Sequence, residues 1–291
     1  MASHVTVGKW QVTPSYPLVV DLDSDIDSQT EDEEISDNSI DARSCQGHFG
    51  YAEVGIMSIP YIFRQSEKYC SVRIFESKVL SFFFNCLHQN ICLTGPIVTS
   101  WSLTKAEARL FNEINVEHCN GEYGNDLFTQ EDLIVHISDA IAFYQYLNNS
   151  YNLLRTSRAT EKCGFVELNL ESVVPYVWRN KTRVVPLFYF EGKVDLKCHA
   201  DRLVGWDLAY MKCCCIIQGI RECFFSGDLL VLPLDIVMSL FPEGTQIKPF
   251  SLNQVERFLL RMPTCEEESI TEYLPFVWHA QVDDEIDGEP I

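Results

Sequence analysis

A few residues in this sequence could do chemistry by type and spacing. His118-Cys119 and Cys198-His199 each join an imidazole to a thiol, the donor types that hold zinc. A compact zinc module needs its donors in spaced sets, and neither dipeptide has a second pair at such a spacing, so no metal is expected. Glu76 and Glu191 could serve as paired carboxylates. Each is followed two residues on by a lysine, Lys78 or Lys193, which favours a surface pair on an exposed strand. His136 sits among Leu133, Ile134, Val135 and Ile137, and reads as a core or edge imidazole rather than a base. There is no phosphate-cradling glycine loop, no G-x-S-x-G and no H-E-x-x-H. Without a convergent nucleophile, base and oxyanion donor, the chain is expected to be non-enzymatic, with no catalytic residues and no cofactor.

Binding chemistry is better represented. Val19, Val20 and Leu22 put three branched aliphatic residues in four positions, interrupted by Asp21 and followed by Asp23, Ser24 and Asp25. The β-branched residues favour an extended backbone. Ten acidic residues and no basic ones lie between Asp21 and Asp41. A short apolar ribbon beside such charge is suited to addition as a strand to another protein's sheet, with the acids meeting a basic rim. The pattern resembles a SUMO-interacting motif. That resemblance implies that Val19–Leu22 pairs with a sheet edge of SUMO and that the acidic flank meets its basic surface. Ser24, Ser28 and Thr30, each followed by acids, resemble acidophilic kinase sites, where a phosphate would add roughly −1.5 to −2 charges. The expected partners are SUMO or SUMOylated proteins and other nuclear proteins. The expected setting is transcription or chromatin regulation in the nucleus, with the cytoplasm as the alternative.

Arg64 and Arg179 follow aromatic residues at matching positions, and with Lys181 and Arg183 they form the candidate basic contact. An acidic partner or nucleic acid would be the functional occupant; a solubilising hairpin tip is the structural one. The formal net charge of −20 opposes unaided binding to phosphate backbones, which needs clustered Lys and Arg. The twelve cysteines include no C-x-x-C. The first twenty residues lack a basic start followed by an apolar run, so the cysteines are expected to be reduced, buried and apolar in role. No apolar run reaches the length of a membrane span.

The elements that would carry these residues divide the 291-residue chain as follows. Residues 1–49 read as a disordered acidic tail and 50–154 as a first module. Residues 155–170 read as a linker, 171–280 as a second module, and 281–291 as a second acidic tail. In the first module, Ile59–Arg64 and Tyr69–Phe75 read as a strand pair. Thr104-Lys105-Ala106-Glu107 is a capping-box pattern opening a helix with Ala108, Leu110, Phe111 and Ile114 on one face. Leu133–Ile137 reads as a strand, and Ser138 as the cap of a helix ending at Asn148-Asn149-Ser150. In the second module Val174–Arg179 and Val184–Phe190 read as strands, 207–217 as a helix ended by Gly219, 228–232 as a strand and 235–241 as a short helix. Ser251-Leu252-Asn253-Gln254 reads as a further capping box.

The two modules repeat. Ile59–Val79 aligns without a gap on Val174–Val194, with identity at Pro60/Pro175, Tyr61/Tyr176, Arg64/Arg179, Phe75/Phe190, Glu76/Glu191, Lys78/Lys193 and Val79/Val194. Asp132–Val135 likewise matches Asp228–Val231. Leu274–His279 looks like a third opening strand that pairs back onto the others. The expected class is α+β: two duplicated hairpin-helix-strand-helix modules behind a disordered acidic N-terminal tail. The aromatic pairs Tyr61/Phe63 and Tyr176/Trp178 are expected to pack in the core or between modules. Gly227–Val231 running into Asp235–Val237, with the hairpin end Phe190–Val194, resembles the Ski/Sno/Dachshund domain of transcriptional co-regulators. Its Leu-Pro-Gln signature is absent here, and no residue is carried over from it. That resemblance implies the alternative function, a DNA-binding transcriptional regulator.

Overall fold

A computed structural model describes residues 48–190, 196–220, 229–252, 258–260 and 278–281. They form a mixed α/β structure built on two six-stranded sheets. The motif Val19–Asp25 lies outside the described residues, as do Glu191, Lys193 and, of the second capping box, Asn253 and Gln254.

The first sheet opens as a meander of β1 (Phe49–Val54), β2 (Met57–Arg64) and β3 (Glu67–Ser71). Two-residue turns join them. At Gln65-Ser66 both central residues have positive φ, 50° and 68°, the mirror-image turn that matches strand twist. The expected strand Tyr69–Phe75 stops at Ser71. There the Ser71 hydroxyl accepts from the Ile74 N–H and starts a helical turn, α1 (Val72–Phe75), which buries Val72, Ile74 and Phe75. A π-helical turn (Glu76–Leu80), α2 (Ser81–Cys86) and α3 (Gln89–Cys92) follow. They carry the apolar residues Val79, Leu80, Phe83 and Cys86 into the core.

β4 (Val98–Ser102) leads into α4 (Lys105–Glu113), and the capping box forms as the spacing predicts: Thr104 Oγ1 accepts from Glu107 N–H, and Glu107 Oε2 accepts from Thr104 N–H. Ala108, Phe111 and Ile114 are buried and Leu110 partly so. β5 (Leu133–His136) runs directly into α5 (Ile137–Thr156). This helix does not end at Asn148–Ser150. Asn149 and Ser150 are buried, with Asn149 donating to the Gln145 carbonyl and to Tyr210, while the Cys213 thiol donates to Ser150. Polar residues that read as a stop are a seam between helices.

The second sheet starts earlier than expected. Cys163–Leu168, assigned to the linker, is strand β6, so only 157–162 connect α5 to it. β7 (Ser172–Arg179) and β8 (Thr182–Pro186) complete a second meander, turning at Asn180-Lys181 with φ of 49° and 65°. β8 ends at Pro186, and Leu187–Phe190 is a 3-10 turn rather than a continuation of the strand. β9 (Asp201–Leu203), α6 (Gly205–Ile217), β10 (Leu229–Pro233), α7 (Leu234–Ser239) and β11 (Ile247–Phe250) follow, then β12 (Trp278–Gln281). Gly219, at φ 87°, ends α6 by donating to the Ile216 carbonyl.

The strand orders are β1-β2-β3-β5-β4-β12 and β11-β6-β7-β8-β10-β9. Neighbours are antiparallel except β12, which lies parallel to β4 with Trp278 opposite Val98. Of the expected strand Leu274–His279, Trp278 and His279 lie in β12 and pair with β4, while Leu274–Val277 are outside the described residues. A shared core runs between the two parts: Phe143 and Tyr146 of α5 lie against Trp206 of α6 at ring distances of 5.9 Å. Cys213, Cys214 and Cys215 are fully buried there, as small apolar residues in a helix. Val166, Leu168, Val174, Tyr176, Val185, Leu232 and Val237 form a second cluster with the other face of the second sheet.

Candidate functional site

The four basic residues of the candidate contact fall on two hairpins, not one patch. Arg64 closes β2 and is engaged. Its Nε donates to Glu107 Oε1 at 2.9 Å, and its Nη2 to Glu107 Oε2 at 2.6 Å and to the Ser102 carbonyl at 2.9 Å. Both side chains are mostly buried, and the fork grips a carboxylate that also caps α4. Burial pushes the Glu107 carboxyl up, but the hydrogen bonds from Arg64 and Thr104 outweigh it and leave it below the ordinary value. Arg64 is thus a structural clamp between hairpin and helix.

Arg179 holds the matching place at the end of β7. It reaches Asp201 at 3.7 Å, a looser pair whose carboxylate is largely exposed. Burial raises the Asp207 carboxyl, opposed by the charges of Lys162 and Arg179. Lys181 stands exposed in the β7–β8 turn. Arg183, one strand over, lies above Tyr176 at 5.6 Å and Trp178 at 5.7 Å from the ring centroids.

The same arrangement occurs on the first sheet, with a residue that sequence reasoning did not select. Lys68 lies 4.7 Å above the Tyr61 ring and 6.0 Å from that of Phe63. In each hairpin the two aromatic rings meet edge-on: Tyr61–Phe63 at 5.4 Å and Tyr176–Trp178 at 6.1 Å. The cation sits opposite the outer aromatic, Phe63 facing Lys68 and Trp178 facing Arg183. Phe63 is 43 % exposed and Trp178 38 % exposed. The expectation of core or intermodule packing therefore holds for Tyr176 and fails for the outer rings. Alternation places Phe63 and Trp178 beside the Tyr rings, but near the hairpin tips, where both stay exposed. The overlooked signal was the basic residue five positions after each outer aromatic, which a two-residue turn brings directly across the hairpin. A cation over an edge-on aromatic pair gives a partly apolar, positively charged patch. Such a surface suits an acidic or π-rich protein segment.

Other candidate groups are structural. Glu76 is buried in the π-helical turn and accepts from the Trp278 indole Nε1 at 2.7 Å, while Lys78 pairs with Glu122 at 3.0 Å. The expected strand-surface pairing of Glu76 with Lys78 is thus corrected. Burial raises the Glu76 carboxyl, and the indole bond opposes that shift. Cys119 meets the Tyr51 hydroxyl at 3.5 Å, and Cys198 lies 2.9 Å from its neighbour His199. Among the described residues no group of three or more His, Cys, Asp or Glu is placed to hold a metal ion, and no helix is long and apolar enough to cross a membrane. Burial pushes the Cys70, Cys92 and Cys213 thiols up to about 12, so they are inert at neutral pH. The chain matches no protein-family model, no curated protein and no solved structure.

Proposed function

We propose that this chain is a non-enzymatic interaction protein whose folded part is two copies of one α+β module, brought to SUMO or SUMOylated proteins by Val19–Asp25. Nuclear transcription or chromatin regulation is the setting that fits such a partner. Duplication is supported by the parallel strand orders, β1-β2-β3-β5-β4 beside β6-β7-β8-β10-β9. It is also supported by register. Ile62 faces Tyr69 as Val177 faces Val184, Ser71 faces Ile134 as Pro186 faces Val231, and Trp101 faces Ile134 as Asp201 faces Val231; this register sets Ile134 at the place of Val231 and so corrects the sequence match of Asp132–Val135 with Asp228–Val231 by one residue.

One observation carries the binding role. The matched residues include exposed ones: an outer aromatic and an opposing cation recur at the same register on both hairpins. Matched core positions follow from keeping a fold. An exposed aromatic retained on both hairpins offers a partner an anchor of the kind enriched at interfaces. For the N-terminal segment the support is chemical: an aliphatic ribbon of strand-forming residues, followed by acids, fits strand addition to a basic sheet edge.

The test is a titration of isotope-labelled SUMO with the full chain, followed by NMR. Shifts confined to one SUMO sheet edge are expected, and Val19→Ala, Val20→Ala and Leu22→Ala together should abolish them while the circular dichroism of the chain stays unchanged. A titration unaffected by the triple change would remove the SUMO assignment.

A further inference from the structure

We infer, resting on the two sheets being copies of one module, that the outer edge of β1 docks an extended segment of another protein bearing an aliphatic residue, then a basic residue, and an aromatic residue two further on. In the second sheet the corresponding strand, β6, is covered. β11 lies antiparallel along it, with Ile247 opposite Leu168, Lys248 opposite Glu167, Pro249 opposite Val166 and Phe250 opposite Phe165.

β1 stands in the place of β6, since Gly50 faces Tyr61 as Gly164 faces Tyr176. That register sets Tyr51, Ala52, Glu53 and Val54 where β6 has Phe165, Val166, Glu167 and Leu168. An aromatic, a small aliphatic, a glutamate and an aliphatic residue recur in order. The backbone phase agrees too. A proline cannot donate to a ladder, and Pro60 faces Tyr51 as Pro175 faces Phe165. The backbone groups of Tyr51 and Glu53 therefore turn outward, as those of Phe165 and Glu167 turn toward β11.

Among the described residues no strand lies along the outer side of β1. At the matching places Phe165 is packed in the shared core at 1 % exposure, whereas Tyr51 is 47 % exposed. Ile56, in the adjoining turn, is also exposed. β11 is therefore an internal template for the missing occupant. Glu53 selects a base at the place of Lys248, and a net charge of −20 favours a basic partner. A second copy of β1 would bring another glutamate instead of a base.

The test uses the full chain and a fluorescein-labelled peptide with the sequence of residues 244–252, Gly-Thr-Gln-Ile-Lys-Pro-Phe-Ser-Leu, followed by fluorescence anisotropy. Saturable binding is expected. Glu53→Lys, at an exposed position, should weaken it roughly fivefold by turning a cross-strand attraction into repulsion. Replacing the peptide lysine by glutamate should weaken binding to the original chain and restore it on Glu53→Lys. Three results would overturn the inference: no saturable binding, equal binding by both chains, or sensitivity to Glu167→Lys but not to Glu53→Lys, which would mean that the peptide displaces β11. Self-association in sedimentation that Glu53→Lys abolishes would also overturn it, assigning the edge to a second copy. None of these results bears on the SUMO titration, which reads residues 19–22.

Discussion

Replacing Trp278 by phenylalanine should cost more at neutral pH than in acid, because the indole bonds a buried carboxylate. Trp278 fastens β12 to the first sheet, and its Nε1–H donates to Glu76 Oε1 at 2.7 Å. Its ring also meets Phe75 at 6.2 Å and Phe143 at 5.7 Å, contacts a phenyl ring largely keeps. The loss is thus mainly one hydrogen bond to a charged group, about 1.5–3 kcal/mol when Glu76 is ionised and about 0.5–1.5 kcal/mol when it is neutral. Burial already raises the Glu76 carboxyl above its ordinary 4.5. The folded state therefore binds that proton more readily than the unfolded chain. The stability this gives is full below the unfolded value and is lost as pH rises through the folded one. Removing the indole donor raises the folded value further, so the Trp278→Phe chain should lose stability more steeply above pH 4.5. Urea unfolding followed by circular dichroism across pH 4 to 7.5 measures this. The expected deficit grows by about 1 kcal/mol toward neutral pH. Glu76→Gln, whose amide carbonyl still accepts the indole N–H, should flatten the profile. A deficit independent of pH, or one that Glu76→Gln leaves unchanged, would refute the coupling.

Two further perturbations test packing in the two sheets by the same unfolding measurement. A Cβ on Gly164 would lie 2.5 Å from the Ala159 Cβ and 3.0 Å from its Cα, whereas one on Gly50 meets the far end of the Tyr61 ring at 2.5 Å. Tyr61 is half-buried and can swing aside, so Gly164→Ala should cost about 1–3 kcal/mol and Gly50→Ala distinctly less; equal costs would contradict this packing. A double-mutant cycle between Arg64→Ala and Glu107→Ala should give a coupling of about 1 kcal/mol, weakened by salt, while the cycle between Arg179→Ala and Asp201→Ala should give almost none. Comparable couplings would mean that the short, bidentate geometry of the first pair has no energetic consequence.

The sequence determined what local physics controls. The Thr104–Glu107 capping box, the buried Cys213–Cys215 helix, the Gly219 stop and the strand-turn-strand rhythm of both hairpins were legible because each depends on residues within a few positions of one another. The proposed repeat rests on paired positions that share residue types, such as Pro60/Pro175 and Tyr61/Tyr176. Only the tertiary structure decided that β1 and β6 precede the hairpins, that Asn149 and Ser150 continue a helix, and that β4 is the partner of β12, in parallel. Those outcomes depend on partners far along the chain: Tyr210 and Cys213 satisfy polar groups that would otherwise end a helix, and Glu76 meets an indole 202 positions away. Arg64 and Arg179 match in sequence, yet the first is a bidentate clamp on Glu107 and the second only loosely reaches Asp201. Glu107 captures Arg64 because α4 packs beside the first hairpin, a placement that no short-range pattern encodes.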